Sequence, residues 1–407
     1  MKRGLPNPAG FFLCFSVVCS TLFFAPVVAG ESVIDAVDPF EIIFQEGLTG
    51  IDRGLFMDAA EIFAGLYAET GSPRVKLEWA RSLYLGGKKR EARDLFREVL
   101  KENPPMMVRE RVNIFLDDIA LSLGRVDVAI GVARDSNPRA VTSDRVISLF
   151  GFNFDYNPGV NRKPQNGINY MLTAAKGIDK DNRWVVSTSV GGSKFNDRVF
   201  DKTATDVYLS YRLSTEPKLE VKAGLGRLYF AGTKLYDDRS LSLKHAKNFT
   251  NGAYWTSEAK VTKVSYDQFS YLNGPIYSLT SSYTHPVFEN IFLGGEVMFD
   301  RASAAESPYS SRTRVVSLFT NFLLPDYFIK GQVRVVVGSR EFDSADPFFG
   351  RVREDSRSGV YINIMKTDLT LFEVTPAVEY SFEKNDSNIG INRYEREVLG
   401  LTFKKTF

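Results

Sequence analysis

Histidine and cysteine, the side chains most often used for nucleophilic and metal chemistry, are scarce in this sequence. The histidines are His245 and His285, and the cysteines are Cys14 and Cys19. His285 lies in "YTHPVF", a predicted short turn, and no serine motif completes a hydrolase triad with it. The stretch "GLGRLYFAG" opens no predicted helix, so it is not a phosphate-binding loop. We therefore predict a protein that is not an enzyme, with no catalytic, cofactor-binding or metal-binding residues.

The N-terminus predicts export from the cytoplasm. Lys2 and Arg3 precede an apolar run from Phe11 to Phe24, and "APVVAG" supplies the small residues of a cleavage site. This pattern predicts a signal peptide at 1–29, cut after Ala29. An uncleaved anchor is the alternative, but the run is shorter than the ~20 residues a spanning helix needs. Cleavage removes both cysteines, so we expect no disulfide.

Charge gives no indication of a nucleic-acid partner. The chain carries 51 basic and 49 acidic residues, and the predicted signal peptide contains Lys2 and Arg3. Basic and acidic residues of the mature chain are therefore balanced. A neutral protein lacks the positive field that attracts nucleic acid, and we predict no such partner.

A helical domain is predicted at 30–124. Segments such as "REARDLFREVLKENP" carry apolar residues three and four positions apart. Small, aromatic and aliphatic residues recur 33 positions later, which pairs Gly47 with Ala80, Gly54 with Gly87, Ala59 with Ala92, Phe63 with Phe96 and Leu66 with Val99. The pattern is similar to tetratricopeptide repeats, whose period is ~34. A generic pair of helical hairpins is the alternative. Such repeats usually offer a concave surface to another protein.

After Gly124 the apolar period changes to two. In "VYLSYRL", Val207, Leu209, Tyr211 and Leu213 share one face, and other segments have a similar apolar face opposite one that carries charge and glycine. A soluble sandwich would bury the apolar faces, whereas a membrane barrel turns them to lipid. Connections counted back from Phe407 alternate in length: "KNDSNIGINR" is long and "MKTDLT" is short. Outer-membrane barrels have this alternation.

We therefore predict an α + β membrane protein: a short tetratricopeptide-like helical domain followed by a 14-stranded antiparallel transmembrane β-barrel at 145–407. "RVDVAIGVARDSN" also has the pattern of a strand, but a fifteenth strand would make the number odd. We interpret 125–144 as a lead-in or plug segment. Glu296, Glu373 and Glu379 are expected to line the lumen beside basic residues, as an ion-paired and hydrated wall.

The C-terminal segment "REVLGLTFKKTF" ends the chain on a strand. A closed barrel must pair its last strand with its first, because an open edge in lipid leaves backbone groups unsatisfied. The outward stripe resembles the recognition signal of the barrel assembly machinery. We assign that signal to Leu399, Leu401, Phe403 and Phe407.

Several short motifs resemble the surface lipoprotein assembly modulator family, also called type XI secretion. "ARDSNPRAVTSD" is similar to the element that opens the family's barrel, "GRVRED" to its Arg-x-Asp element, and the last 33 residues to its closing hairpin. The motif positions are Asp135, Ser136, Asn137, Arg353, Asp355, Pro376, Asn385, Ser387, Asn388, Ile389, Tyr394 and Arg396. The resemblance covers 125–407 and implies an outer-membrane translocon for lipoproteins or soluble proteins.

From these observations we expect a protein of the cell outer membrane, with its N-terminal domain in the periplasm. Its function would be to help move a protein cargo, a surface lipoprotein or a soluble secreted protein, from the periplasm to the cell surface. Its partners would be that cargo, outer-membrane lipids and, during biogenesis, the barrel assembly machinery. A polysaccharide export pore and a passive outer-membrane channel are the alternatives.

Overall fold

The computed structural model describes residues 38–407 apart from 103, 150–151, 158, 216, 368 and 370–373. The predicted signal peptide at 1–29 lies outside these residues. The described chain begins with five helices: α1 (Pro39–Asp52), α2 (Phe56–Thr70), α3 (Pro73–Leu85), α4 (Lys89–Lys101) and α5 (Met106–Leu123). No helix in this part of the chain is both long enough and apolar enough to span a bilayer.

Local sequence sets where the helices begin and end. The Asp38 side chain accepts a hydrogen bond from the Phe40 amide at 3.0 Å and so caps α1, whose first residue is a proline. Gly71, with φ of 60°, ends α2 in a left-handed conformation that costs glycine little. Pro73 then begins α3. These residues explain the short connections between consecutive helices.

Small residues let the helices approach each other closely. A Cβ added to Gly47 on α1 would lie 2.5 Å from the ring of Phe63 on α2, so this position accepts only glycine without rearrangement. Ala80 and Phe96, their counterparts in the predicted repeat, are both fully buried in one cluster of α3 and α4. Phe96 also stacks on Phe115 of α5 with ring centroids 5.1 Å apart. The tetratricopeptide character of the helices stays a prediction.

Antiparallel strands make up the rest of the fold. They are β1 (Arg125–Asp135), β2 (Val146–Leu149), β3 (Phe152–Asp155), β4 (Gln165–Gly177), β5 (Trp184–Phe195), β6 (Lys202–Thr215), β7 (Lys218–Phe230), β8 (Thr233–Asn248), β9 (Tyr254–Tyr266), β10 (Gly274–Phe288), β11 (Ile291–Ala302), β12 (Ser311–Leu324), β13 (Ile329–Ala345), β14 (Val352–Lys366), β15 (Thr375–Ser387) and β16 (Tyr394–Thr406). In the described chain, β1 and β4–β16 close into a fourteen-stranded antiparallel barrel. The predicted fold class is confirmed.

The predicted start of the barrel was wrong. The segment 125–144 is not a lead-in, because β1 pairs with β16 on one side and with β4 on the other. The segment counted as the first strand, from 145, instead forms β2 and β3, a separate two-stranded sheet. Each of these has 4 residues, too few to cross a bilayer, whereas β1 has 11. The two errors compensated, so the predicted number of strands was right.

The strands alternate between an outward and an inward face. Leu399, Leu401 and Phe403 of β16 are exposed, while Gly400 and Thr402 between them are covered. Across the wall, Val378, Leu401, Val132 and Ile168 face one another in successive strands and form an apolar outward row. A surface of this kind is what a bilayer core requires of a transmembrane barrel.

Both ends of the barrel chain lie beside the helices. We call this the near end and the opposite end the far end. Far-end connections were predicted to be long, but strands continue into them. The predicted long connection "KNDSNIGINR", at 384–393, shrinks to 388–393, and residues 231–232 alone join β7 to β8. The longest far-end connection is 136–164, which contains β2 and β3.

Candidate functional site

The closure between β1 and β16 is fully hydrogen-bonded at both ends. Near the helices, the Phe407 amide donates to the Val126 carbonyl at 2.8 Å and the Val126 amide donates back at 3.3 Å. At the far end, the Ser136 amide donates to the Glu397 carbonyl at 2.9 Å. The C-terminal strand is therefore a full member of the wall.

The residues assigned to the assembly signal lie on the outward face of this strand. Leu399, Leu401, Phe403 and Phe407 are 56%, 39%, 46% and 63% exposed. The Lys405 ammonium lies 4.8 Å from the centre of the Phe407 ring. This placement is compatible with reading by assembly machinery, and the assignment stays a prediction.

A buried ion pair fastens the first strand to the last at the far end. Asp135 of β1 has a side chain only 3% exposed, and it forms an ion pair with Arg396 of β16. The guanidinium Nε lies 3.1 Å from both carboxylate oxygens, and a terminal nitrogen lies 2.6 Å from Oδ2. A charge-assisted fork of this kind is strong and directional. We call this pair the closure latch.

The next two motif residues extend the closure latch. The Ser136 hydroxyl accepts a hydrogen bond from the Glu397 amide at 2.7 Å. The side-chain nitrogen of Asn137 donates to the carbonyls of Glu395, at 3.0 Å, and Val141, at 2.8 Å. The Asp-Ser-Asn motif thus holds the start of the 136–164 connection against β16.

A second group of motif residues ties β14 to the β15–β16 hairpin. The Arg353 guanidinium donates to Asp355 at 3.0 and 2.7 Å, and the Asp355 side chain is only 5% exposed. The Asn388 side chain accepts from the Glu354 amide at 3.0 Å and donates to the Val352 carbonyl at 2.8 Å. These bonds hold the hairpin tip against the edge of β14.

The remaining motif residues shape the hairpin tip itself. The Asn385 side chain donates to the Asn392 carbonyl at 2.8 Å, and the Ser387 hydroxyl accepts from the Ile389 amide at 3.2 Å. Ile389 is 2% exposed, and Tyr394 faces Asn385 across the hairpin. The structure therefore brings the predicted motif positions other than Pro376 together at the far end, on β1, β14, β15 and β16 and in the connections next to them.

Pro376 is the motif position that lies elsewhere. It faces Phe403 on β16, close to the near end of β15. The missing amide of a proline removes one possible ladder bond at that position. Its place in the chain matches the closing hairpin of the family, but it does not contribute to the far-end cluster.

The 136–164 connection makes contacts that the sequence did not reveal. The Arg393 guanidinium lies 3.3 Å from the Asp144 carboxylate and donates to the Ser387 carbonyl at 2.7 Å. On its other side, Arg139 donates to the Val199 carbonyl at 3.0 Å. These partners are far apart in sequence and belong to no common motif, so no local pattern could have paired them.

Charged residues line the lumen, and two of the three carboxylates expected there form ion pairs with basic residues. Glu296 accepts from Arg334 at 2.7 Å, as predicted. Glu379 pairs with Lys404 at 2.7 Å, whereas Glu373 lies outside the described residues. Within the described chain, no group of three or more His, Cys, Asp or Glu side chains is placed to hold a metal ion.

The helices are fastened to the barrel mouth through α5. Asp118 accepts from the Tyr84 hydroxyl at 2.8 Å and lies 3.9 Å from Arg212 of β6. Burial, together with the Asp118 carboxylate, raises the pKa of Tyr84. Asn182, in the β4–β5 turn, donates to the Asp118 carbonyl at 2.9 Å and to the Ser122 hydroxyl at 2.6 Å. Sequence patterns did not mark this junction, because its residues are far apart in the chain.

The closed barrel, with its apolar outward belt and charged lumen, defines the class of outer-membrane β-barrel proteins. Strands of 11 to 17 residues are long enough to cross a bilayer. A family model described as surface lipoprotein assembly modifier matches residues 125–407. The chain belongs to this family, which confirms the family predicted from the far-end motifs and supports a location in the outer membrane.

Solved outer-membrane proteins show a distant likeness. A loop-deletion mutant of OmpT from Vibrio cholerae is 9% identical with a TM-score of 0.38, and the match covers 70% of this chain and 99% of that one. OccAB4 of Acinetobacter baumannii is 10% identical with a TM-score of 0.38 and coverages of 70% and 98%. The channel DcaP of the same organism is 12% identical with a TM-score of 0.40 and coverages of 70% and 96%.

These TM-scores are too low to support an inference about function. No curated protein matches the sequence significantly.

Proposed function

We propose that this protein is a non-enzymatic outer-membrane translocon that helps move a protein cargo from the periplasm to the cell surface. The helices receive the cargo in the periplasm, and the far end of the barrel faces the exterior. Membership of the surface lipoprotein assembly modifier family supports a lipoprotein cargo, and a soluble cargo is the other possibility within this class. The proposal includes the type XI secretion route.

The observation that carries this proposal is the junction between the helices and the barrel. Asp118 connects α3 to α5 through Tyr84 and approaches Arg212 of the barrel wall. Arg125, the first residue of β1, lies 3.4 Å from Asp117 and 2.7 Å from Asp127. The helical domain is thereby held at the mouth beside the first strand, where a bound cargo would be presented to the pore or to the closure.

A channel for small solutes gains nothing from such a domain. Helical arrays with repeat-like packing generally bind segments of other proteins. Exposed apolar side chains are available on these helices: Ile42 on α1 is 56% exposed and Ile114 on α5 is 60% exposed. Cargo capture accounts for both the helices and their attachment to the barrel mouth.

The test is removal of residues 38–123 with the preceding residues kept. We expect an assembled barrel that has lost cargo export, because the receiving surface is gone. The measurement is surface exposure of a candidate cargo protein encoded beside this chain, with barrel folding followed by the difference in gel migration of boiled and unboiled samples. The Ile114→Glu substitution in the full-length chain provides a milder variant, because it changes the exposed helical surface and keeps the junction between the helices and the barrel.

Each alternative gives a different result. Full export by a folded truncated barrel would show that the helices are not the receiver. Loss of surface polysaccharide, with protein export unchanged, would favour a polysaccharide exporter. If the full chain is required for uptake of small solutes but not for protein export, a passive channel would be favoured.

A further inference from the structure

A concavity lies on the outside of the barrel wall, across the closure between β16 and β1. Its volume is about 850 Å³. Its lining residues come from β15, β16, β1, β4 and β5 and the start of the connection after β5. We call it the seam groove. The seam groove is distinct from the lumen and from the closure latch.

The floor of the seam groove is apolar. Val378, Leu401, Val132 and Ile168 face one another across four neighbouring strands and belong to its lining. All four are between 39% and 60% exposed. A floor of this width can hold acyl chains lengthwise against the wall.

The far-end rim of the groove is polar and basic. Arg134 follows Val132 on the outward face of β1 and directly faces Asn166 of β4. Lys194 of β5 faces Ile168 and completes the rim. Lys194 already has a carboxylate partner, Asp201, at 3.1 Å. Among the described residues, no carboxylate forms an ion pair with Arg134, so Arg134 is the cation left to meet an anion.

We propose that the seam groove is a binding site for a membrane lipid with an anionic phosphate head group. The acyl chains lie on the apolar floor, and the phosphate accepts hydrogen bonds from the Arg134 guanidinium and the Asn166 amide. Arginine suits phosphate because its planar fork offers two parallel donors. The basic rim matches the phosphate head group of such a lipid, and the apolar floor matches its acyl chains. A free phosphate would leave the floor empty, and an uncharged lipid would leave Arg134 without an anion.

The position of the site connects it to the barrel closure. Arg134 directly precedes Asp135 of the closure latch, and its facing residue on β16 is Leu399. A lipid bound here would lie over the line where the first and last strands meet. This inference goes beyond cargo transport, because binding is a property of the purified chain and does not require a cargo.

The test uses the full-length protein in a neutral detergent, with lipid binding followed by native mass spectrometry. The probes are phosphatidylglycerol, phosphatidylcholine, lipid A and inorganic phosphate. We expect phosphatidylglycerol and lipid A to bind, and to bind more tightly than phosphatidylcholine. Arg134→Gln should weaken their binding at least about tenfold, because a charge-assisted hydrogen bond is lost. Arg134→Lys should retain part of it.

Two further variants keep the test decisive. Arg239→Gln is the matched control, because Arg239 is also an exposed outward arginine, on β8, away from the groove; it should leave binding unchanged. Val132→Trp keeps the charge but fills the floor, and it should weaken lipid binding. Equal binding of phosphatidylcholine, equal losses in the Arg134 and Arg239 variants, or Arg134-dependent binding of inorganic phosphate alone would each overturn the proposal.

Discussion

At the scale of single residues, the closure latch differs from the many ion pairs on the barrel surface. The Asp135 side chain is 3% exposed, and its partner Arg396 is 28% exposed. In the exposed pair Arg227–Asp237 the corresponding values are 47% and 38%. Solvent screens an exposed pair, which contributes about 0–1 kcal/mol. Removing one partner of a buried pair leaves a charge without compensation, at a cost of about 3–5 kcal/mol.

Asp135→Asn tests this difference. The variant keeps the shape of the side chain but removes its charge, so Arg396 loses its counter-ion. We expect a loss of about 3 kcal/mol in the free energy of unfolding, measured by denaturant titration of the purified barrel in detergent. The matched control, Asp237→Asn, should lose no more than about 1 kcal/mol.

Coupling between the two partners is checked with Arg396→Gln. The double variant should cost less than the sum of the single variants, because neither group is then left as an isolated charge. Equal, small effects of Asp135→Asn and Asp237→Asn would show that the latch is not a stabilising feature of the closure.

At the scale of elements, sequence periodicity predicted whether a segment forms a helix or a strand better than it predicted which strand pairs with which. The alternation in β6 and β16 was correct, because residues on one face of a strand share one environment. The choice between β1 and the β2–β3 segment was wrong, because both segments alternate. Which of them closes the wall depends on pairing with β16, more than 250 positions away in the register Asp135↔Val398.

In the candidate site, too, the local motifs could be predicted from the sequence, whereas the contacts between distant segments could not. The motifs containing Asp135, Arg353 and Asn388 were found because each is a short run of sequence. Their convergence at one end of the barrel was not predicted, since it follows from the order of strands around the wall. The contact of Asn182 with Asp118 depends on how α5 docks against the β4–β5 turn. The contact of Asp144 with Arg393 depends on how the 136–164 connection folds. Neither leaves a periodic signal.

The last strand allows a prediction that separates recognition from structure. Phe407 contributes both an exposed ring and two backbone hydrogen bonds with Val126. Phe407→Ala keeps the backbone bonds and removes the ring. If the ring belongs to the assembly signal, this variant should lower the amount of folded barrel in outer membranes several-fold. The unfolding free energy of purified, refolded protein should stay within about 0.5 kcal/mol of the unmodified chain.

Deletion of Phe407 should lower both quantities, because the ladder bonds are also lost. Tyr327→Ala provides the control, since Tyr327 is another exposed aromatic residue at the near end, in the β12–β13 connection; its loss should not change the amount of folded barrel. A normal amount of folded Phe407→Ala barrel would show that the terminal ring is not read during assembly.

At the scale of the whole molecule, the proposed transport needs a route past a wall that is closed in the structure. The lumen is one route, and a fourteen-stranded lumen is narrow for a folded domain. Separation of β1 from β16 is the other route, and several features lie along that line. The helices are attached beside β1, the closure latch joins Asp135 to Arg396, and the seam groove crosses the outside.

A disulfide across the closure distinguishes the two routes. Ala133 and Gly400 face each other on β1 and β16, and a Cβ added to Gly400 would lie 3.5 Å from the Cβ of Ala133. Disulfides require about this Cβ separation. Both natural cysteines lie in the predicted signal peptide, so Ala133→Cys/Gly400→Cys should introduce the sole thiol pair of the mature chain. We expect the disulfide to form in the oxidising periplasm without preventing barrel assembly.

If cargo leaves through the separated wall, the oxidised double variant should block its surface exposure, and a reductant should restore it. The matched control is Met298→Cys/Val315→Cys, which joins facing residues on the inward face of β11 and β12, away from the closure, and should leave export unchanged. The lumen route predicts instead that both cross-linked proteins export equally well, because each adds one disulfide of the same size to the inward face of the wall. Since the backbone ladder between β1 and β16 must break for lateral exit, a covalent bond across it cannot be neutral on that route. Export by the oxidised Ala133→Cys/Gly400→Cys protein at the full rate would therefore exclude separation of these two strands and leave the lumen as the path.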